Sequence, residues 1–318
     1  MRRSMLTLAA AMMIALGQAS AATDAASASS EKRIAFTYDD GPRGDGAFFS
    51  GEERTKVLIA ALKAGGVDQA AFFITTKRLG DETSIARVRD YAAAGHVIAN
   101  HSHEHQWLNR MSAEDYIADI DKAESLLEGF ENRRAWFRFP YLNEGNEIEK
   151  RDAVRAALAE RGLMSGYVTV DTFDWHMESV VGAAKKEGEC VDLAGVGEIY
   201  VDMLVAAAEH FHAMAKEAMQ RAPAQVILLH ENDLAAMFAD DLARGLRASG
   251  WEIITADEAY KDEIAATLPQ TLFAGNGRIA AFAYEAGFRG DRLDHPAADE
   301  AAIEAVFKEA GVLTCEAL

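Results

Sequence analysis

Seven short β-rich runs alternate with helix-period segments between residues 33 and 255, and this alternation leaves few folds open. The runs are RIAFTY (33–38), QAAFFIT (69–75), HVIAN (96–100), AWFRF (135–139), SGYVTV (165–170), QVILLH (225–230) and WEIIT (251–255). Between the first two, GEERTKVLIAALKAGG (51–66) spaces Val57, Leu58, Ala61 and Leu62 at helical period and closes on glycines. Further helices are expected over 83–94, 112–128 (opened by a Ser112-x-x-Asp115 capping pattern), 147–161, 199–221 and 234–249. Such alternation gives a parallel sheet with crossover helices. Asp39, Asp40, His101, Arg138, Asp174 and His230 all fall just after strands. Several strand ends converging on one place suit a barrel mouth better than an open crevice. The expected fold class is therefore α/β, a distorted (β/α) barrel of about seven parallel strands with an extra C-terminal segment.

The ends of the chain read differently. Residues 1–21 have a basic tip at Arg2 and Arg3, an apolar run too short to stay in a membrane, and small residues suited to cleavage. They are expected to be a secretory signal peptide, with export to the periplasm or medium and no membrane attachment after its removal. Residues 22–32 read as a solvated linker, 33–265 as the barrel, and 266–318 as an extension packing on it. Within the barrel, 176–198 is a Gly-containing insertion beside the mouth. The formal net charge of −19 over 318 residues shows no basic patch, which argues against a nucleic-acid partner and against anionic membranes. The two cysteines, Cys190 and Cys315, could pair in an exported chain. Cys190 has no base in a motif around it and reads as structural, and oligomeric state is not legible.

The chemistry concentrates in two places. NHSHEHQW (100–107) sets histidines at i, i+2 and i+4; on a helical turn His101 and His105 share a face and His103 points elsewhere. Two imidazoles and a carboxylate make a three-ligand metal site with positions left open, suited to zinc, cobalt, nickel or iron(II). FTYDDGP (36–42) offers two adjacent carboxylates, either of which can be that ligand. A divalent cation relieves their repulsion, and the carboxylate left unligated can accept a proton from a water whose pKa the ion lowers.

TYDDGP (37–42), HSHEH (101–105), RFPY (138–141), DTFDW (171–175) and VILLH (226–230) resemble the five ordered motifs of the polysaccharide deacetylase family (NodB-like, carbohydrate esterase family 4). The likeness spans about residues 33 to 260. It implies a distorted (β/α) barrel, a zinc or similar divalent ion, and removal of acetyl groups, mostly from N-acetylglucosamine units of a glycan. It further implies Asp39 as base and Asp40, His101 and His105 as metal ligands, with Ser102 shaping the histidine loop. Arg138 would orient Asp39, and Asp174 would pair with His230, the acid. Pro140, Tyr141 (through its N–H) and Trp175 would meet the substrate.

Three departures bear on substrate rather than chemistry. Tyr38 stands where the family most often has Phe, and its hydroxyl needs a partner if buried. The stretch 43–53 is longer than usual and lacks the usual Thr-Pro, and 176–198 is extra. An O-acetyl esterase acting on a polysaccharide such as xylan would use the same site, and a carbohydrate-binding protein with a decayed site is the non-enzymatic alternative. A phosphotransferase is disfavoured, because the carboxylates are adjacent rather than Asp-x-Asp and no Gly-rich phosphate loop is present.

Overall fold

The computed structural model describes residues 31–314. The signal peptide expected over 1–21 and nearly all of the linker lie outside these residues, as does Cys315. Cys190 is disulfide-bonded.

The chain runs β1 (Arg33–Gly41), α1 (Gly51–Ala64), β2 (Ala71–Ile74), α2 (Glu82–Ala93), β3 (Val97–Asn100), α3 (Ala113–Leu126), β4 (Arg133–Phe137) and α4 (Ile148–Glu160). It continues with β5 (Met164–Ser165), α5 (Asp174–Glu187), α6 (Leu193–Met219), β6 (Gln225–His230), α7 (Asp233–Ala248), β7 (Glu252–Ile253), α8 (Ala256–Ala259), α9 (Gly277–Glu285) and α10 (Glu300–Ala310). Caps fix several of the helix starts: Ser50 and Glu53 form a capping box on α1, and Ser112 accepts from Asp115 N on α3.

All seven strands are parallel, in the order β5-β4-β3-β2-β1-β6, with β7 beside the first residues of β1. The sheet curls, and among the described residues the segment after β5 reaches β6 through one isolated bridge, Val170 to Ile227. Strand ends line up across the ladder: Gly41 with Ile74, Ile74 with Asn100, Asn100 with Phe137, and Asp39 with His230. Residues that follow these positions therefore emerge on one rim.

The fifth run, expected as a strand over 165–170, makes a ladder only at Met164–Ser165. The reason is Arg138. Its Nε donates to Gly166 O at 2.6 Å and its Nη2 to Tyr167 O at 3.4 Å, so these carbonyls are turned away from sheet pairing. Gly166 is required there, since a Cβ would stand 2.4 Å from the Phe73 ring. The tail covers this broken strand. Gly277 (φ 81°) lies so close that a Cβ would meet Val168 O at 2.9 Å, and the buried Arg278 donates to Ser165 Oγ and Ile264 O while stacking on Tyr167.

Two further expectations change. Residues 176–198 are no irregular insertion: α5 occupies 174–187 and closes on Gly188 in the left-handed region (φ 81°), and α6 starts at Leu193 rather than near 199. Met177, Val181 and Ala184 form the buried stripe that carried this signal. In the tail, α9 is a helix that none of the expected segments covered. Its buried residues, Ile279, Ala280 and Ala283, face the core shared with α6 (Tyr200, Leu204, Ala207, Phe211) and β1.

Candidate active site

Every side chain at the rim is set by a strand end and a turn. β1 delivers Asp39 into the interior, and the chain then enters the left-handed region at Asp40 (φ 67°), which turns the two neighbouring carboxylates different ways. After β3 the histidine segment is a loop, not the helical turn expected. Asn100 Oδ1 takes Ser102 N at 2.7 Å, Ser102 (φ 68°) holds His105 N through its hydroxyl at 2.9 Å, and Asp119 of α3 takes the N–H groups of His103 and Glu104. This frame turns the His103 ring to Thr76 Oγ1 at 3.0 Å, away from His101 and His105.

His101 Nε2 and His105 Nε2 lie 3.2 Å apart, and Asp40 Oδ1 is 4.0 Å from the first and 3.1 Å from the second. Among the described residues these three form the one His/Cys/Asp/Glu group able to share an ion. A tetrahedral ion with bonds of about 2.0–2.2 Å spaces its ligands by about 3.4 Å, which these edges bracket. His101 Nδ1 is 3.0 Å from Arg138 O; a carbonyl only accepts, so the proton sits on Nδ1 and the Nε2 lone pair is free for an ion. Burial pushes His101 down to about 3 and His105 down to about 4, so both are neutral ligands at physiological pH. For Asp40 burial pulls upward, but His105, His230, His101 and Arg78 outweigh it and hold the carboxyl well below its usual range. The donor set thus fits a divalent ion.

Asp39 faces the same space, its Oδ2 3.5 Å from His101 Nε2. Arg138 Nη1 donates to its Oδ1 at 2.6 Å and is itself locked by Thr37 Oγ1, Tyr260 Oη and the Phe73 ring face. Burial nevertheless wins over Arg138 and His230, and Asp39 sits above the ordinary aspartate value. On the adjacent strand His230 Nδ1 meets Asp174 Oδ1 at 2.7 Å. Asp174 Oδ2 also accepts from His230 N and Asn232 Nδ2, both at 2.9 Å. Burial opposes protonation of His230, yet the charge and hydrogen bond of Asp174 raise it above its usual value.

Pro140 opens a short turn whose next residue, Tyr141, is left-handed (φ 57°). The exposed Tyr141 ring packs against His105 (4.7 Å between centroids) and Trp107 (4.6 Å). Trp175 stands in the first turn of α5, half-buried beside Phe173. The structure therefore brings Asp39, Asp40, His101, His105, Arg138, Asp174, His230 and Tyr141 to one rim, with Trp175 on its α5 side. His176 is turned away, 3.1 Å from Glu304 of α10. Tyr38 is fully buried against Phe72, and its hydroxyl has no partner among the described residues. Asn100, Asp119, Asn232 and Tyr260 also shape the site without having been singled out. Asn100 and Asn232 flank the quoted motifs and were findable; Asp119 and Tyr260, inside or after distant helices, carried no local signal.

A curled parallel α/β sheet with a histidine–carboxylate cluster on its C-terminal rim defines the class of fold and site. Residues 26–162 match the family model described as polysaccharide deacetylase. A peptidoglycan-N-acetylglucosamine deacetylase from Bacillus cereus is 30% identical over 142 residues, 45% of this chain and 46% of that protein. Residues 26–162 are thus similar in sequence to polysaccharide deacetylases, and the chain spans less than half the length of this curated relative. Solved structures with similar coordinates include a family 4 carbohydrate esterase from Streptomyces lividans in complex with acetate (20% identity, TM-score 0.47, 72% of this chain and 96% of that one). A peptidoglycan deacetylase from Bacillus subtilis (22%, 0.46, 72% and 92%) and a family 4 pseudoenzyme from Bacillus anthracis (18%, 0.48, 72% and 65%) are also similar.

Proposed function

We propose that this protein is an exported, divalent-metal-dependent hydrolase that removes acetyl groups from an N-acetylated glycan, one built with N-acetylglucosamine units. The observation that carries the reading is the juxtaposition of the Asp40–His101–His105 cluster with an unligated Asp39 on one side and an Asp174-paired His230 on the adjacent strand.

Asp40, His101 and His105 would hold the ion, zinc, cobalt, nickel or another divalent metal. When bound, it supplies Lewis acidity to the acetyl carbonyl and to the attacking water. The protein's own groups do the proton work. Asp39, fixed by Arg138 and lifted by burial, accepts a proton from the water; a carboxylate moved upward is a better base near neutral pH. The N–H of Tyr141, which no protein acceptor takes among the described residues, is free to stabilise the oxyanion. His230, its proton affinity raised by Asp174, donates to the departing amine, which otherwise leaves only as an amide anion. The face of Trp175 suits the apolar side of a sugar ring. Residues 1–21 would direct export, which the N-terminal sequence of the mature protein from culture would check.

The test is acetate release by the metal-loaded protein from N-acetylglucosamine oligomers and peptidoglycan. Asp39→Asn should cost about 10²- to 10⁴-fold in kcat with metal content unchanged. A metal-loaded protein that releases no acetate from these substrates or from acetylated xylan refutes the reading.

A further inference from the structure

Beside the ligand cluster, on the α5 side, lies a cavity of about 500 Å³, a size ordinary for a ligand site. One wall is the loop 43–47 and the other is α5, from Trp175 through Glu178 to Lys186. Arg78 links it to the cluster, its Nη2 3.6 Å from Asp40 Oδ2. Apart from Trp175 and Arg78, both walls lie in the stretches 43–53 and 176–198 in which the sequence departs from the motif pattern it resembles.

The loop wall is held in place from behind. Glu231 takes Arg43 N at 2.6 Å, Asp233 takes Phe48 N at 2.8 Å, and the buried Arg54 and Arg87 donate to Gly44 O and Arg43 O. Four buried charged side chains therefore present this loop backbone to the cavity in one shape.

The charges facing the cavity differ in what remains available to a ligand. Glu178 is satisfied, by Arg43 Nη1 at 2.8 Å and Asp233 N at 2.9 Å. Asp45 is turned to the start of α1, accepting from Gly51 N at 2.9 Å. Arg54 is committed to Gly44 O and to the buried carboxylates of Glu231 and Asp233. Arg78 and Lys186, by contrast, make no side-chain hydrogen bond among the described residues, and Lys186 is in no ion pair there. In a chain of net charge −19, the donors left over in this cavity are cationic, and Trp175 lines the same cavity.

We propose that this cavity is a subsite for a carboxylate-bearing sugar neighbouring the acetylated unit. Its carboxylate is received by Arg78 and Lys186 and its ring lies against Trp175. The proposal rests on the reading that the neighbouring cluster cuts an acetyl group from a glycan, and it narrows that glycan to one with acidic units despite the acidic surface.

Two sources of the carboxylate are separable: a hexuronic acid alternating with N-acetylglucosamine, and an amino sugar bearing a lactyl ether. Calorimetric titration of each oligomer, against a neutral N-acetylglucosamine oligomer of equal length, reads binding independently of turnover. Wild type should prefer one acidic oligomer by about tenfold or more at low salt, and Lys186→Glu should abolish that preference. The second variant, Arg78→Gln, should reduce it. Equal affinity of wild type for acidic and neutral oligomers overturns the subsite, as does a preference that Lys186→Glu leaves unmoved. Acetate release from the same oligomers is followed in parallel. Its failure on every substrate would refute the deacetylase reading, while the titrations still decide the subsite.

Discussion

Asp174→Asn isolates the acid half of the site. The substitution keeps the volume of a fully buried side chain and can keep the contacts to His230 N and Asn232, but it removes the charge 2.7 Å from His230 Nδ1. In the native protein, burial lowers the proton affinity of His230 and Asp174 more than restores it. Without that charge only the more distant Asp40 and Asp39 oppose burial, and the imidazole loses its proton at lower pH. A hydrogen bond to a charged partner contributes about 1.5–3 kcal/mol, so amide hydrolysis near neutral pH should fall roughly 10- to 100-fold. The sign in pH is fixed. His230 must be protonated to donate, so on the alkaline side wild-type activity is lost as pH rises through its raised value. In Asp174→Asn that alkaline limb should move to lower pH. The assay is kcat/KM against pH for an N-acetylated oligomer, with an O-acetyl sugar as control. An alkoxide leaves without an acid's help, so the ester should lose much less. An unmoved alkaline limb, or equal losses on amide and ester, would refute the role assigned to the pair.

Because burial holds His101 near 3 and His105 near 4, both stay unprotonated far below the usual histidine range, so bound metal should persist to about pH 5; metal content after dialysis across pH checks this, and loss at pH 6–6.5 counts against the assignment. His101→Ala should abolish stoichiometric metal without unfolding the protein, seen by elemental analysis beside circular dichroism. Arg54→Ala leaves Glu231 and Asp233 buried with less compensation and should destabilise by about 3–5 kcal/mol, a Tm fall of roughly 10 °C in thermal unfolding; a fall under 2 °C would mean the network is dispensable. Gly166→Ala drives a Cβ into the Phe73 ring, 2.4 Å away, and should lower both Tm and activity, because the Arg138 that holds Asp39 is anchored on Gly166 O.

The strands that could be read in the sequence were those whose apolar runs need only the sheet. RIAFTY and QVILLH became β1 and β6 at nearly the bounds expected, because both are buried almost throughout and pair with each other over six residues. SGYVTV carries the same β-rich composition, yet the demands of Arg138 on Gly166 O and Tyr167 O overrode it, and no local pattern reports a hydrogen bond from 28 residues away. In the site, Asp39, Asp40, His101 and His105 stood out because their chemistry is local and their spacing compact. Asp119, which holds the histidine loop, is one acid among several on α3, and only the fold gives it meaning. The helical turn assumed for 101–105 failed for a similar reason: Asn100, Ser102 and Asp119 satisfy the loop's N–H groups in place of helical carbonyls.

The place of β1 in the sheet has a consequence for synthesis. It is the first strand made, yet its longest ladder is with β6, Ile34 meeting Gln225, and the matched stretch 26–162 ends before β6 begins. Until the ribosome has delivered the second half of the protein, one side of β1 has no neighbour and Asp39 has no His230 beside it. Pairing over so long a separation is slow and leaves a sticky edge in the meantime. The stretch 26–162 is therefore not a unit that can be cut out and expected to stand alone, because β1 would lack its longest ladder.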